Sequence, residues 1–431
     1  MKHYNTILTL LLTSLSAAFL QAQRPKPAPV QSGAIAITGA TIHTAAGSVL
    51  PNATLVFDKG IITGINQGIP KGARVIEAKG KHLYPGLILV NNSLGLVEVS
   101  STKATVDFVE TNEFMPEVRT LIAFNTDSHV IPTVRTNGVL LAQPVMERGL
   151  LKGTSSVLHL DGWNWEDAAV AKDNVLHLNW PEQRTLADEK RSKELSDRRR
   201  DNLLELQSLF TRAKVYRPGS GIKDYKLEAI LPVFSGEKRL FIDVAGPNEA
   251  LEAIQFAKQN GIRHTVLLGG SRLVPVLDEI KKSGLPLIVT NPHSLPSSES
   301  DSPRLPYEFA ALVASKGILH GLDYSARKDF SDSRNLPFLA GTTAAYGLDK
   351  EKALESITIN LARMLGIEKK YGSIEVGKSA TLFLSEGDAL DQLTNQLTHA
   401  FIDGREIILH NQQKELYERY KEKYERQAAE N

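Results

Sequence analysis

Residues 239–290 decide the fold class, and they read RLFIDVAGPNEALEAIQFAKQNGIRHTVLLGGSRLVPVLDEIKKSGLPLIVT. Three short apolar runs typical of buried strands alternate here with two amphipathic stretches typical of helices. The apolar runs are Arg239–Val244, Thr265–Leu268 and Pro286–Thr290, and the amphipathic stretches are Asn248–Asn260 and Leu273–Ser283. This alternation predicts βα units and a parallel sheet. Similar alternation continues through the region of about 290 residues between the two terminal segments, and that length favours a (β/α)8 TIM barrel over an open sheet.

Short alternating strands flank this region on both sides. Before it, we predict strands at Ala34–Ile37, Ala53–Phe57 and Ile61–Ile65. After it, we predict strands at Gly372–Val376, Ala380–Leu384, His399–Ile402 and Glu406–Leu409, the last two joined by an Asp403-Gly404 hairpin turn. Neither set is large enough to be stable alone, so the sequence predicts one small β-sandwich domain built from both terminal segments.

The predicted fold class is therefore α/β, with a barrel and a composite β domain. The predicted segments are a signal peptide at 1–22, a Pro-rich linker at 23–33, the composite β-sandwich at 34–85 and 373–410, the barrel at 86–372 and a charged C-terminal helix at 411–431.

Composition excludes several functions. The 431 residues include no Cys, which rules out disulfides, Cys-ligated zinc, iron–sulfur clusters and a thiol nucleophile. The 50 Lys and Arg residues almost balance the 49 Asp and Glu residues. Without a net positive field, we expect no nucleic-acid partner and no membrane partner.

The N-terminus resembles a secretory signal. Lys2 precedes an apolar run, Ile7–Leu20, that is too short to span a bilayer and ends in small residues near Ala22. We therefore expect export through a cleaved signal peptide and a soluble periplasmic or extracellular protein.

Two charged segments are predicted to be helical. Residues 182–214 are typical of an inserted, solvated helix. Gln412–Glu430 places Tyr417, Tyr420 and Tyr424 on one helical face, which we expect either to pack on the body of the protein or to contact a second copy.

Several motifs resemble the amidohydrolase superfamily. Gly80-Lys-His-Leu-Tyr-Pro-Gly-Leu-Ile88 is similar to that superfamily's entry to the barrel, and Arg334–Phe338, Ala345–Leu348, Lys352–Asn360 and Gly372–Ala380 are similar to its closing helices and return to the β domain. Asp127–Gly138 followed by Gly153–Gly162 resembles the imidazolonepropionase-like branch.

The resemblance implies a metal-dependent hydrolase of cyclic amides or other C–N bonds. In such enzymes four imidazoles and a strand-8 aspartate hold divalent metal, which activates a water molecule. The counterpart of that aspartate here is Asp323.

The same resemblance exposes a degenerate metal site. Where the family has Asp-x-His-x-His, this chain has Leu89-Val-Asn91-Asn-Ser93, and strands 5 and 6 offer Asp243 and no imidazole. Amide and hydroxyl oxygens are poor zinc ligands, so we expect no zinc and no other cofactor. Asp243 and Asp323 with Asn91 would instead suit a hard cation such as Mg or Ca, if any cation binds.

The candidate site residues follow from this alignment. Asp323 is the candidate catalytic residue, no residue is predicted as a metal ligand, and the candidate substrate-binding residues are Asn91, Ser93, Asp243 and His293. His129, His159 and His177 are interpreted as structural or solvent-facing.

Three functions remain open. The chain is a non-catalytic pseudoenzyme that binds a small-molecule ligand or pairs with a homologous catalytic barrel subunit; or it is an active C–N hydrolase with a rebuilt carboxylate or hard-cation site; or it is a structural protein that assembles through its terminal helix, for example as a homodimer. The residues favour the first of these.

Overall fold

A computed structural model describes residues 26–430 except 185, 220 and 325–329. The predicted signal peptide lies outside the described residues. Over the described ranges, sixteen strands form two sheets. In chain order they are β1 (Ile35–His43), β2 (Val49–Asp58), β3 (Ile61–Ile65), β4 (Arg74–Glu77), β5 (His82–Pro85), β6 (Leu87–Asn92), β7 (Val139–Pro144), β8 (Leu151–His159), β9 (Ala169–Asn179), β10 (Arg239–Asp243), β11 (Thr265–Gly269), β12 (Leu287–Thr290), β13 (His320–Asp323), β14 (Leu382–Ser385), β15 (Leu397–Ile402) and β16 (Arg405–Glu406).

The described α-helices lie mostly between the barrel strands. They are α1 (Thr120–Ala123), α2 (Val130–Arg135), α3 (Trp165–Ala168), α4 (Glu189–Val215), α5 (Tyr225–Ser235), α6 (Pro247–Asn260), α7 (Leu277–Ser283), α8 (Leu305–Ser315), α9 (Leu336–Ala345), α10 (Lys350–Ser356), α11 (Ile359–Leu365) and α12 (Gln412–Glu430). Short 3-10 helices occupy Lys103–Thr105, Ser271–Val276 and Phe330–Asn335. Within the described part of the chain, none of the helices combines the length and hydrophobicity needed to cross a bilayer.

The larger unit is a nearly closed eight-stranded barrel, which confirms the predicted fold class. Its strands follow the chain order from β6 to β13. The two end strands are linked by side chains and by the segment after α10, where the Ile88 N–H donates to the Ile357 carbonyl at 2.9 Å. Apolar residues from the strands and the surrounding helices form one continuous core around this sheet.

One barrel strand runs against the others. β8 pairs antiparallel with both β7 and β9, whereas the remaining neighbours are parallel. The connections through residues 145–150 and 160–168 explain this reversal, because a parallel crossover needs about a dozen residues or more. The functional end of the barrel is therefore formed by the carboxyl ends of seven strands and the amino end of β8.

The second sheet combines both terminal segments, as predicted. Its order is β16-β15-β14-β5-β1-β2-β3, with β4 also pairing with β1. It has its own apolar core, which includes Phe57 and Phe401 in an edge-to-face contact at 5.0 Å. N-terminal β5 pairs directly with C-terminal β14, so neither segment completes the sheet alone.

Some predicted elements differ in the structure. Gly372–Val376 was predicted as a strand, but it is irregular because Gly372 and Gly377 take positive φ values of 91° and 89°. The strand predicted at Glu406–Leu409 is reduced to β16. The helix predicted at Leu273–Ser283 begins as a 3-10 turn that contains Pro275, and only Leu277–Ser283 is α-helical.

A polar contact joins the composite sheet to the barrel helices. His43 on β1 bonds through Nδ1 to Glu351 Oε1 on α10 at 2.7 Å and through Nε2 to His82 Nδ1 on β5 at 2.9 Å. The His43 ring stacks on Tyr84 with centroids 4.4 Å apart. These contacts fix the position of the sheet against the closing end of the barrel.

The backbone geometry of the Asp403-Gly404 turn leads to a prediction about stability. Both residues have positive φ, 48° and 74°, as a two-residue hairpin of β15 and β16 requires. A Cβ on Gly404 would lie 2.8 Å from the Gly60 Cα. We expect Gly404→Ala to lower the free energy of unfolding by about 1–2 kcal/mol in urea titrations.

A matched control is available in the same sheet region. A Cβ added to Gly33 meets no atom within 4 Å, and its φ is not in the left-handed region. Gly33→Ala should therefore change stability by less than about 0.5 kcal/mol. Equal effects of the two substitutions would contradict the assigned turn geometry.

Candidate functional site

Polar side chains lie at the functional end of the barrel, where parallel strands end. Asn91 is the second-last residue of β6, and Asp243 and Asp323 are the last residues of β10 and β13. In barrels of this type the carboxyl ends of the strands carry the binding and catalytic groups. The predicted residues are thus placed at the end of the barrel where function is expected.

Asp323 and Asn91 are brought together across the gap between the first and last barrel strands. The Asn91 Nδ2 donates to Asp323 Oδ2 at 2.8 Å, and Asp323 is 1% exposed. Asn91 has a φ of 50°, in the left-handed region that Asn tolerates better than most residues. The irregular pairing of β6 with β7 at this point turns its amide toward β13.

Asp243 lies on the same face of the sheet as Asp323. The strand register pairs Asp243 with Leu268 and Leu268 with Ile288, and two residues after Ile288 Thr290 pairs with Asp323. Because side chains alternate along a strand, both carboxylates project from the same side of the sheet. Asp243 is partly buried, and its backbone carbonyl accepts from the Trp180 N–H at 2.8 Å.

The other two predicted binding residues follow strands. Ser93 is half-buried in the turn after β6, where its carbonyl accepts from the Leu96 N–H at 3.0 Å. His293 follows β12 and contacts helices, with Nε2 2.9 Å from Thr342 Oγ1 on α9 and its ring 5.8 Å from Tyr307 on α8. Partial burial lowers the pKa of His293. These contacts direct His293 toward the helical layer.

The sequence did not indicate a series of hydrogen-bonded polar side chains inside the barrel. Gln143 on β7, Ser155 on β8 and His177 on β9 are all buried, at 0%, 0% and 2% exposure. Gln143 Nε2 donates to Ser155 Oγ at 3.0 Å, and Ser155 Oγ lies 2.7 Å from His177 Nε2. His177 was interpreted as structural or solvent-facing, and the structure excludes the solvent-facing interpretation.

A buried lysine lies near His177 in this hydrogen-bonded series. Lys152 is 7% exposed, and the pairing of β8 with β9 is irregular between Leu151 and Thr154, opposite His177. Burial, and then the positive charge of Lys152, lower the pKa of His177 well below 6.5, so its imidazole is neutral at pH 7. The signal in the sequence was a lysine between small and apolar residues in Leu150–His159, a pattern that simple alternation does not single out.

One polar atom in the hydrogen-bonded series of Gln143, Ser155 and His177 lacks a hydrogen-bond partner in the described part of the chain. Gln143 Oε1 is fully buried, and no hydrogen-bond donor among the described residues reaches it. Leaving a buried acceptor without a donor costs about 1–3 kcal/mol. The barrel interior therefore contains an energetically unfavourable polar group that apolar packing would have avoided.

These residues do not fit the metal centre that the resemblance implies. The strand ends supply amides, hydroxyls and the carboxylates of Asp243 and Asp323, whereas zinc and its neighbours prefer imidazole. Across the described ranges, no three His, Asp or Glu side chains form a group that could hold a metal ion. The imidazole of His177 on β9 is engaged in a hydrogen bond with Ser155.

The neutral state of His177 leads to a pH prediction. Its pKa is lowered on folding, so the unfolded chain binds a proton first as the pH falls below about 6.5. The stability that His177 contributes is complete above that pH and is lost on acidification, at up to about 1.4 kcal/mol per pH unit. We expect His177→Gln to flatten the fall in unfolding free energy between pH 6.5 and 4.5, measured by urea titration.

His410, which is exposed, supplies the control. The variant His410→Gln should keep the slope of the unmodified protein. If His177→Gln keeps it as well, then His177 is not held neutral by burial.

Comparison with known proteins agrees with this architecture. Residues 239–407 match the model of the amidohydrolase family. The matched segment runs from β10 to β16 and includes Asp243 and Asp323. No protein of curated function matches the sequence.

Solved structures share the fold over most of the chain. An amidohydrolase from Thermotoga maritima superposes with a TM-score of 0.75 at 21% identity, covering 87% of this chain and 99% of that one. A prolidase complexed with N-methylphosphonate-L-proline gives 0.53 at 13% identity, with 87% and 99% coverage, and phenylurea hydrolase B gives 0.52 at 14%, with 87% and 96%. At these identities the likeness shows the fold alone, a barrel with its accessory domain.

Proposed function

We propose that this chain is a non-catalytic member of the amidohydrolase superfamily, from its imidazolonepropionase-like branch, that binds a small-molecule ligand at the strand ends of its barrel. The observation that carries the proposal is the hydrogen bond from Asn91 Nδ2 to Asp323 Oδ2. In the family that this chain resembles, the corresponding carboxylate serves the metal and its water. Here an amide N–H engages it.

The chemistry of Asn91 supports this interpretation. The Asn91 N–H satisfies one oxygen, Oδ2, of the buried Asp323 carboxylate without a proton or a metal, and it holds that oxygen in place as an acceptor. It also contributes no second negative charge that could attract a divalent cation. The strand ends are thus suited to hydrogen-bonding a polar ligand.

The competing proposal is a C–N hydrolase rebuilt around Asp323 and Asp243 with Mg or Ca. Metal analysis of the full chain, purified without chelator and then equilibrated with Mg²⁺, Ca²⁺ or Zn²⁺, separates the two. We expect less than about a tenth of an equivalent of bound ion, because one carboxylate engaged by an amide is a weak site. One equivalent that disappears in Asp323→Ala but persists in the surface variant Asp201→Ala would overturn our proposal.

A second function, assembly, is favoured by the C-terminal helix. Every residue of α12 for which exposure is described is exposed, including Leu416 at 39%, Tyr417 at 67% and Tyr424 at 61%. The expected packing of the tyrosine face on the body of the chain is therefore wrong. An isolated helix of this length is only marginally stable in water. We propose that α12 pairs with a second copy of this chain.

Light scattering of the purified protein tests the assembly proposal. The full chain should have the mass of a dimer, and a chain ending at Asn411 should be monomeric with an unchanged far-UV spectrum per folded residue. A full chain that is monomeric when pure but co-purifies from its native host with a homologous barrel would instead support the heteromeric partner. An unchanged dimer after truncation would contradict both roles of α12.

Export completes the proposal. We propose that residues 1–22 direct secretion and are removed. Mass spectrometry of the N-terminus of the protein from its native host should begin near Gln23, and an intact Met1 would contradict this.

A further inference from the structure

A cleft lies outside the barrel strands, between residues 183–184 and residues 192–204 in the first half of α4, and we call it the α4 cleft. Its volume is about 410 Å³, within the range of about 300–1,000 Å³ that is usual for small-molecule sites. Three arginines, two serines, three leucines and one glutamine line it. The helix that forms one wall is inserted after β9, so the cleft is separate from Asn91 and Asp323.

Both walls of the α4 cleft are attached to the body of the protein. The Gln183 N–H donates to Glu249 Oε1 on α6 at 2.9 Å, and Glu249 is buried. Arg199 Nε on α4 donates to the Pro181 carbonyl at 3.1 Å. The cleft is therefore formed before any ligand arrives, which lowers the entropic cost of binding.

The charge on the lining has one sign. Among the described residues that line the cleft, the ionisable ones are Arg184, Arg199 and Arg200, and none is acidic. Each arginine is paired with carboxylates outside the lining. These pairs do not occupy all of the N–H groups, because a guanidinium carries five donors.

Arg184 and Arg199 retain donors for a ligand. Arg184 reaches Glu182 through Nε, so neither of its Nη groups has an acceptor among the described residues. Arg199 uses Nε and Nη2 for Pro181 and Glu252, which leaves Nη1 without one in the same part of the chain. Guanidinium N–H groups in this arrangement fit the oxygens of a carboxylate or a phosphate and disfavour a cation.

The apolar part of the lining restricts the anion further. Leu195 and Leu203 are half-buried, and Leu204 is 63% exposed beside them. A hydrated inorganic anion would leave these leucines in contact with water. An alkyl chain would cover them, and each buried methylene adds to the affinity.

We propose that the α4 cleft binds an organic anion with an aliphatic chain, such as a medium-chain carboxylate. Its head group accepts hydrogen bonds from Arg184 and Arg199, and its chain lies on Leu203 and Leu204. This is a second ligand site, and it goes beyond the binding proposed at the strand ends because it shares no residue with them.

Three probes test the proposal by isothermal titration calorimetry of the full chain at pH 7. Octanoate has both the anionic head and the chain, octanamide has the chain with a neutral head, and acetate has the head without the chain. We expect octanoate to bind saturably at one site. Octanamide should bind at least about ten times more weakly, because it lacks the charge-assisted hydrogen bonds, and acetate should do so because it leaves the leucines uncovered.

Variants locate the contact. Arg184→Gln should weaken octanoate binding at least about tenfold, and it should fold normally because the Arg184 side chain is 64% exposed. Arg191→Gln removes the same charge from α4 at a position outside the lining, and it should change the affinity by less than about twofold. The comparison of the three probes on the unmodified protein is decisive even if a variant is unstable.

Several results would overturn the inference. Equal affinities for octanoate and octanamide would show that the anionic head is not recognised, and no saturable binding of octanoate would show that the cleft holds no such ligand. Equal losses in Arg184→Gln and Arg191→Gln would indicate a general effect of charge. Cosedimentation with phosphatidylglycerol vesicles that is lost in Arg184→Gln would place the anion on a membrane surface.

The strand-end proposal is tested separately. Octanoate binding should persist in Asp323→Ala, because Asp323 does not line the α4 cleft. Its loss in that variant would place octanoate at the strand ends and contradict a second site. A metal ion found at Asp323 would overturn the non-catalytic proposal and leave octanoate binding at α4 unchanged.

Discussion

Asp161→Ala should destabilise the protein by about 4 kcal/mol, the largest effect that we expect from a single substitution. Asp161 is buried, with 3% of its side chain exposed, and its Oδ1 accepts from Arg135 Nη1 at 2.7 Å. Its Oδ2 accepts from the Ala28 N–H at 2.8 Å and lies 3.1 Å from Arg405 Nη1. One carboxylate thus joins the N-terminal lead, the barrel and β16.

The cost comes from the partner that remains. Arg135 has 5% of its side chain exposed, and burial lowers the pKa of its guanidinium, while the neighbouring Asp161 carboxylate raises it. Removing the carboxylate leaves that guanidinium buried without its counter-ion, which typically costs about 3–5 kcal/mol. Urea titrations at pH 7 measure the difference in unfolding free energy.

An exposed ion pair supplies the control. Asp201 lies 3.2 Å from Arg200 Nη2, and both side chains are more than 60% exposed. Asp201→Ala should cost less than about 1 kcal/mol, because solvent screens such pairs. A loss below about 1 kcal/mol for Asp161→Ala would show that water or a neighbouring group compensates Arg135.

The second large effect is expected at the site itself, where Asn91→Asp should cost about 3 kcal/mol at pH 7. The substitution keeps the side-chain shape and the tolerance of positive φ. It replaces the donor to Asp323 by a second carboxylate at the same 2.8 Å contact. Two carboxylates at that distance cannot both ionise, so one of them acquires a raised pKa.

The sign of the pH dependence follows. A folded-state pKa raised above the unfolded value near 4 gives stability that is complete below that pH and is lost as the pH rises through the raised pKa. The deficit of Asn91→Asp relative to the unmodified protein should therefore shrink on acidification from pH 7 to 4.5. Urea titrations at several pH values measure it.

Asn91→Gly separates charge from the lost hydrogen bond. Glycine tolerates the left-handed backbone but supplies neither donor nor carboxylate. Its deficit should stay nearly constant over the same pH range. If Asn91→Asp is as stable as the unmodified protein at pH 7, the contact between Asn91 and Asp323 does not shape the site.

Local sequence patterns were sufficient to predict much of the fold. The alternation of strands and helices over Arg239–Thr290 predicted the second half of the barrel nearly residue by residue, because buried strands and amphipathic helices have distinct periods. The Asp403-Gly404 turn was equally predictable from the sequence, since few other residue pairs accept two positive φ values. The reversed strand β8 was not predicted, because its direction depends on the length of its connections.

The site was only partly predictable. Asn91, Ser93, Asp243 and Asp323 were placed at strand ends by their position in the motifs, and the structure puts them there. The hydrogen bond between Asn91 and Asp323 joins residues far apart in sequence, so no local pattern could indicate it. Gln143, Ser155 and His177 were missed for the same reason.

Residue types and their spacing along the chain are enough to predict an α/β protein with a barrel and a composite sheet, and to predict that imidazoles are missing from the expected strand ends. The contact between Asn91 and Asp323, the burial of His177 and the exposure of the tyrosine face of α12 become visible in the folded chain. Each of these depends on distance and burial, which arise when remote segments pack together.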